Sequence, residues 1–195
     1  MRTPGDDKEL AIGFLWVEGI LSDPTAVELV KIHSDQEHAQ VEVMLRSGTP
    51  INLDKSDRHG FASSSCGVCG KTSVESIYQT SSFGEIDSSL AISTELVLSL
   101  PQKLLEAQAV FSQTGGLHAA ALFTPQGQLQ KLREDVGRHN ALDKLIGQAF
   151  MNNQLPLSRK ILVVSGRLGF ELVQKAAMAG ISFIAAVGAP TSLAA

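Results

Sequence analysis

The sequence predicts an α/β fold: a three-layer α/β domain over residues 93–195, preceded by a smaller α+β subdomain over residues 1–92. Three observations point there. From Pro101 onward, helical and strand periodicities alternate in the order α-β-β-α-β-α-β. Ile161-Leu162-Val163-Val164 is a continuous apolar run, the pattern of a strand covered on both faces. Between about Gly48 and Asp87 the composition shifts to Ser, Gly and charge with few apolar anchors, which separates the regular second half from what precedes it.

Asp6 and Asp7 are positioned to cap a helix running to about Ile20, with Leu10, Phe14 and Val17 at helical spacing and Gly19 ending it. Val27 to His33 and Val41 to Leu45 read as two strands; Val41, Val43 and Leu45 alternate with polar residues, as a half-covered sheet requires. His33 and His38 fall near the turn between them and read as solvated histidines. After the irregular stretch, Ser93 or Thr94 opens a short apolar helix. Pro101 suits the first turn of a new one, with Leu104, Ala107, Val110 and Phe111 on one face and Gly115-Gly116 as its stop.

His118 to Phe123 and Leu129 to Glu134 read as strands joined by the turn at Pro125-Gln126-Gly127. Asp135 is expected to cap the helix that carries Leu142, Leu145, Ile146 and Ala149. Leu168 to Ala179 is helical, with Gly180 just past its end, and Ile181 to Val187 is a buried strand. Because a helix joins the last two strands, they are expected to be parallel. Gly188 to Ser192 reads as the opening of one further helix.

Composition bounds the function. The chain has 195 residues, 44% hydrophobic and 18% charged, with a formal charge of −4. This is an ordinary globular composition that argues against a general nucleic-acid binder. No apolar run approaches a membrane span, and the first residues lack the apolar core of a signal peptide. Two cysteines form no disulfide framework, and their close spacing suits a reducing compartment, so the expected location is cytoplasmic.

Those cysteines stand in Ser63-Ser64-Ser65-Cys66-Gly67-Val68-Cys69-Gly70-Lys71, a polar stretch expected to be mobile. Gly67 and Gly70 remove side-chain bulk, and Lys71 favours the thiolate form. Four readings are open on the residues alone: half of a zinc site, a thioredoxin-type redox pair, ordinary surface thiols, and a thiol that accepts and hands on sulfur. The zinc reading lacks two further ligands at the usual spacing, and Arg58 to Ala62 makes a poor strand to lead into a redox helix. Cys66 and Cys69 are the candidate reactive residues.

Three glycine turns in the second domain carry polar or cationic groups: Thr114-Gly115-Gly116-Leu117-His118, Ser165-Gly166-Arg167 and Gly188-Ala189-Pro190-Thr191-Ser192. The last two follow predicted strands and precede predicted helices, the place where α/β sheets bind anions. None matches a Walker A or G-x-G-x-x-G pattern. Glu134 to Lys144 adds Arg138 and His139 at a helix start, with seven polar residues in eleven. Asp143 reads as a surface charge and Lys144 as support for the helix face, so neither belongs to the candidate site. Candidate ligand-binding residues are Gly115, Gly116, His118, Arg138, His139, Gly166, Arg167 and Thr191.

Taken in order, Arg2-Thr3-Pro4-Gly5-Asp6-Asp7, Ser64 to Lys71, Thr114 to His118, Glu134 to Lys144, Ser165 to Arg167 and Gly188 to Leu193 resemble the formate dehydrogenase accessory sulfurtransferases of the FdhD family. The resemblance covers essentially the whole chain. It implies a cytidine-deaminase-like α/β domain. It also implies a sulfurtransferase that takes persulfide sulfur from a cysteine desulfurase. That sulfur passes to the molybdenum or tungsten bis(molybdopterin guanine dinucleotide) cofactor required by formate dehydrogenase, here a bound substrate, with no permanently bound metal. Cys66 matches the persulfide-carrying Cys and Cys69 its companion, and the glycine turns would hold the dinucleotide's phosphates. A homodimer is implied too, with cysteine desulfurase and formate dehydrogenase as partners. The family has further strands before Arg2 and continues beyond Ala194, so a shortened member is expected; Gly169 stands where the family places a small hydroxyl residue. A second class of function stays open: a non-catalytic chaperone of the cofactor or of formate dehydrogenase, its cysteines serving redox or metal binding.

Overall fold

The computed structural model describes residues 1–34, 39–51, 83–84 and 90–195. Cys66, Cys69 and His38 lie outside the described residues, as does most of the Gly48–Asp87 stretch. The elements are α1 (Asp7–Val17), β1 (Val27–Ser34), β2 (Ala39–Leu45), α2 (Thr94–Ala107), α3 (Ala109–Thr114), β3 (His118–Phe123), β4 (Leu129–Asp135), α4 (Arg138–Met151), β5 (Ile161–Val164), α5 (Phe170–Met178) and β6 (Phe183–Ala186). A single turn of 3-10 helix, Pro24–Ala26, leads into β1.

β1 and β2 form an antiparallel pair, and the other four strands form a sheet in the order β4-β3-β5-β6. β3 runs antiparallel to both β4 and β5, and β5 and β6 are parallel, as the crossover through α5 demands. Alternation along the strands divides the interior in two. Ala120, Leu122, Leu162 and Val164 face a core shared with α1, α4, α5 and Val30 of β1. Ala119, Ala121, Phe123, Ile161 and Val163 face Leu100 and Leu104 of α2. Helices therefore cover both faces of the sheet, which explains why β5 is buried at all four positions.

α4 is the central element. Every residue from Ala141 to Phe150 is buried, because the sheet lies on one side and α1 on the other. α1 approaches it through Gly13 and Gly147, and Trp16 anchors the far end of α1. Its ring is 1% exposed, meets Phe150 edge-on at 5.4 Å between centroids, and donates Nε1–H to the Met178 carbonyl at 2.8 Å.

Four local expectations need correction. Asp6 does not cap α1 with its side chain: it adopts φ 55°, and its carboxylate lies 3.6 Å from Arg133. Pro101 does not start a helix but sits inside α2. Leu100 and Leu104, buried on either side of it, hold the helix together through the missing N–H, and the break falls at Gln108 instead. Asp135 is the last residue of β4, and Gly137 is the N-cap of α4. Residues after Gly188 form no helix, since Pro190 bridges Leu168 and the Thr191 N–H goes to the Leu168 carbonyl at 2.9 Å, continuing a strand-like pairing. Gly115 and Gly180 do close their helices in the left-handed region, at φ 65° and 73°.

Candidate functional site

Strand direction decides which loops meet. The last residues of β5 and β6 lie at one end of the sheet, and β3, antiparallel to β5, begins at that same end. β4, antiparallel to β3, finishes there, so His118 and Asp135 are cross-strand partners. One edge thus gathers Thr114–His118, the β4–α4 turn, Ser165–Arg167 and Val187–Thr191. The sequence identified these segments as separate turns; topology makes them neighbours.

Their contact is close. A Cβ on Gly166 would lie 3.2 Å from Nδ1 of His118 and 3.4 Å from Cδ of Arg138, so these two side chains crowd the turn after β5. A Cβ on Gly188 would lie 2.8 Å from the Arg167 nitrogen and 2.9 Å from the Gly166 carbonyl carbon. The turns are also bonded to each other, Gly188 N–H to Gly166 O at 3.2 Å and Leu168 N–H to Ala189 O at 3.3 Å. Ser165 ties the turn to β3: its N–H donates to Ala119 O at 3.0 Å, and its Oγ accepts from Ala119 N–H at 2.8 Å.

Beside these turns opens a cavity of about 500 Å³. Leu104, Leu105 and Phe111 from the α2–α3 region, with Leu117 and Val187, give it an apolar wall; Gln108, His118, Ser165, Gly115 and Gly116 supply polar groups. This is the form of a small-molecule site, an apolar slot with a few placed hydrogen-bonding groups. Burial, reinforced by the charge of Arg138, pushes the His118 pKa below the ordinary imidazole value, which keeps the ring neutral near pH 7. The buried Nε of Arg138 has no hydrogen-bond partner among the described residues. The half-buried guanidinium of Arg138 beside a neutral imidazole suits an anionic oxygen.

Asp135 holds this corner together. Its carboxylate is 0% exposed and accepts from Thr3 N–H at 3.0 Å, Gly137 N–H at 2.9 Å and Asn140 Nδ2 at 3.0 Å, while Lys144 Nζ pairs with it at 2.9 Å. Burial pushes its pKa up, but the bonds from Lys144, Gly137, Asn140 and Thr3 outweigh that, and the net shift is downward. Asp143 is not a surface charge: it is buried and pairs with Lys175 at 2.7 Å, and Lys144 beside it is buried as well.

The predicted binding residues divide accordingly. His118, Arg138 and Gly166 stand together, and Gly115 and Gly116 border the cavity. Arg167 places its backbone against Gly188 but is exposed, Thr191 is exposed with its N–H spent on Leu168, and His139 is buried in the first turn of α4. Gly169 is the N-cap of α5 without a side-chain cap, the cost of lacking a hydroxyl there. Sequence reasoning missed Gln108 and the α2–α3 wall. The available signal was a glutamine interrupting two apolar helical faces.

The profile of the FdhD/NarQ family matches residues 1–195. Among similar curated proteins is the sulfur carrier protein FdhD of Streptomyces avermitilis, 47% identical over 201 residues, covering 100% of this chain and 71% of that protein. The sulfur carrier protein FdhD of Saccharolobus solfataricus is 45% identical over 194 residues, covering 100% and 70%. That of Mycobacterium tuberculosis is 44% identical over 204 residues, covering 100% and 74%. A crystal structure described as a formate dehydrogenase accessory protein from Desulfotalea psychrophila superposes with a TM-score of 0.70 at 23% identity, covering 100% of this chain and 69% of that one. At that identity the likeness speaks for the fold alone.

Proposed function

The chain belongs to the FdhD/NarQ family, and on that premise we propose that it is a sulfur carrier in formate dehydrogenase maturation. What supports this most is the Cys66-Gly67-Val68-Cys69 pair in a chain matched over its whole length by proteins named sulfur carriers. In this reading the Cys66 thiolate attacks the outer sulfur of a cysteine desulfurase persulfide. An S–S bond forms at Cys66 as the desulfurase thiolate leaves, so the sulfur moves without net oxidation. To hand the sulfur on to the molybdenum or tungsten bis-guanine-dinucleotide cofactor, the Cys69 thiolate would attack the Cys66 sulfur, breaking the persulfide bond, forming the Cys66–Cys69 disulfide and releasing the outer sulfur at the sulfide level; until then Cys69 would shield the persulfide.

The cofactor's guanine nucleotide ends would bind at the sheet edge. Arg138 supplies an N–H to phosphate, His118 stays neutral and receives no competing charge, and the Gly166 and Gly188 turns admit the phosphates closely. Helices on both faces of the four-stranded sheet are in keeping with a cytidine-deaminase-like domain. Among the described residues, no group of three or more His, Cys, Asp or Glu could hold a metal ion, and no helix is long and apolar enough to cross a membrane. We place the protein in the cytoplasm, where a thiol pair stays reduced, acting as a homodimer.

The test is mass spectrometry after incubation with a cysteine desulfurase and cysteine. The wild type gains one sulfur atom, lost on reduction, and Cys66→Ser does not. Stoichiometric zinc without an adduct would support the metal reading, and a Cys66–Cys69 disulfide alone the redox one. A Cys66→Ser protein that still matures formate dehydrogenase would make this a binding chaperone.

A further inference from the structure

Three segments converge on the turn that delivers Arg138 to the site. Asp135 takes the N–H of Gly137, the residue immediately before Arg138, at 2.9 Å, and the Asn140 side chain one turn further along α4 at 3.0 Å. Thr3 is clamped to the same corner by all three of its polar groups: N–H to Asp135 at 3.0 Å, Oγ1 from Val136 N–H at 2.9 Å, and O from Lys144 Nζ at 3.0 Å. Gly137 leaves no slack, since a Cβ there would stand 3.1 Å from Nδ2 of Asn140. We infer that Asp135 is a positioning residue: by fixing the β4–α4 turn it holds Arg138 against His118 and Gly166, and thereby sets the anion-facing edge of the site. Its functional meaning rests on the reading that this edge takes phosphate.

A purely structural role predicts something different. A fully buried ion pair such as Asp135–Lys144 is, by itself, no better for stability than a well-packed apolar pair. If stability were its whole purpose, an uncharged replacement of both partners would leave the site unchanged. Arg138 on α4 and Asp135, the cross-strand partner on β4, carry opposite charges near His118, while the turn after β5 presents Ser165 and Gly166 to it. The two charges therefore make opposite predictions. Losing a negative charge alone would lower the His118 pKa. Letting Arg138 swing away would raise it.

The experiment is an NMR titration of the His118 ring in the ligand-free protein, alongside GDP binding by calorimetry. Asp135→Leu/Lys144→Met removes one charge of each sign together with the oxygen that accepts from Gly137 and Asn140, and leaves no buried charge unpaired, so it remains measurable if Asp135→Leu alone does not fold. The expected result is a rise in the His118 pKa in the paired variant. Arg138→Gln raises it as well, and combining the changes adds nothing beyond Arg138→Gln. GDP affinity falls about tenfold in the paired variant. A His118 pKa that stays put or falls overturns the inference, as does a further rise when the changes are combined. If the wild type fails to bind GDP but the titration behaves as expected, the phosphate reading is lost and the positioning role stands. If GDP binds and the paired variant is indistinguishable from wild type in both measurements, the positioning role is lost and the phosphate reading stands.

Discussion

Gly13 and Gly147 meet where α1 crosses α4, with no room for even one methyl group between the backbones. A Cβ on Gly13 would lie 1.8 Å from the Asp143 carbonyl oxygen and 2.9 Å from the Gly147 nitrogen. One on Gly147 would lie 1.8 Å from the Glu9 carbonyl oxygen and 2.8 Å from the Gly13 nitrogen. The obstructing atoms are backbone, so they cannot rotate aside. Gly13→Ala or Gly147→Ala should therefore destabilise by about 3 kcal/mol, overriding the ~1 kcal/mol that alanine otherwise gains in a helix. Chemical denaturation checks this, and an unchanged midpoint would mean that α1 does not dock as described.

Trp16 gives a second measure of the same junction. Trp16→Phe keeps an aromatic ring but leaves the buried Met178 carbonyl without its donor. The expected cost is about 2 kcal/mol, from the orphaned acceptor and the lost ring volume.

Arg138 and Arg167 should behave differently as ligand contacts, although the sequence treated them alike. Arg138 is half-buried beside His118, so Arg138→Ala should weaken GDP binding by about 1.5–3 kcal/mol. Arg167 is exposed, and Arg167→Ala should cost about 0.5 kcal/mol or less. Calorimetric titration of the two variants decides it, and equal losses would place the phosphates further out than the Gly166 turn.

The His118 shift makes stability depend on pH. Its folded pKa lies below the ordinary 6.5, so as pH falls past that value the unfolded chain takes up its proton first. In that window the unfolded state binds more protons, and stability falls as pH falls. His118→Gln should flatten this part of the profile of denaturation midpoint against pH. Asp135 acts lower: its depressed pKa means its contribution is lost only as pH drops below its ordinary 3.8.

Much of the architecture was readable where one local cause dominates. Ile161–Val164 had to be covered on both faces, Gly115 and Gly180 had to end helices, and the α5 crossover had to make β5 and β6 parallel. Reading failed where distant packing overrides local preference. Pro101 ought to begin a helix, but burial of Leu100 and Leu104 carries α2 straight through it. Asp135 ought to cap, yet four partners from three segments draw it into the interior. Asp143 reads as a surface charge because nothing local reveals that α1 will cover α4. Of the site, the glycine turns and Arg138 were visible. The apolar wall was not, because Gln108 belongs to the cavity only after α2 has folded under the sheet.

Gly188→Ala tests whether the two turns must touch. Its Cβ would press on the Arg167 backbone at 2.8–2.9 Å and force the Ser165 and Val187 loops apart. A stability loss of about 1–2 kcal/mol is expected, with a clear drop in GDP affinity. Loss of stability with affinity intact would show that the turns are packed together for the fold alone.

α4 begins at Arg138 and then runs through the middle of the protein with no residue from 141 to 150 facing solvent. Its amide protons therefore have no local route to water and exchange only when the sheet, α1 and α4 come apart together. A ligand held at the first turn of this helix stabilises the whole unit in proportion to its occupancy. Saturating the site should slow deuterium uptake at Leu145 and Phe150, well inside the core, as much as at residues beside the ligand. Buried amides of α4 would then report, from inside the core, how fully the sheet edge is occupied.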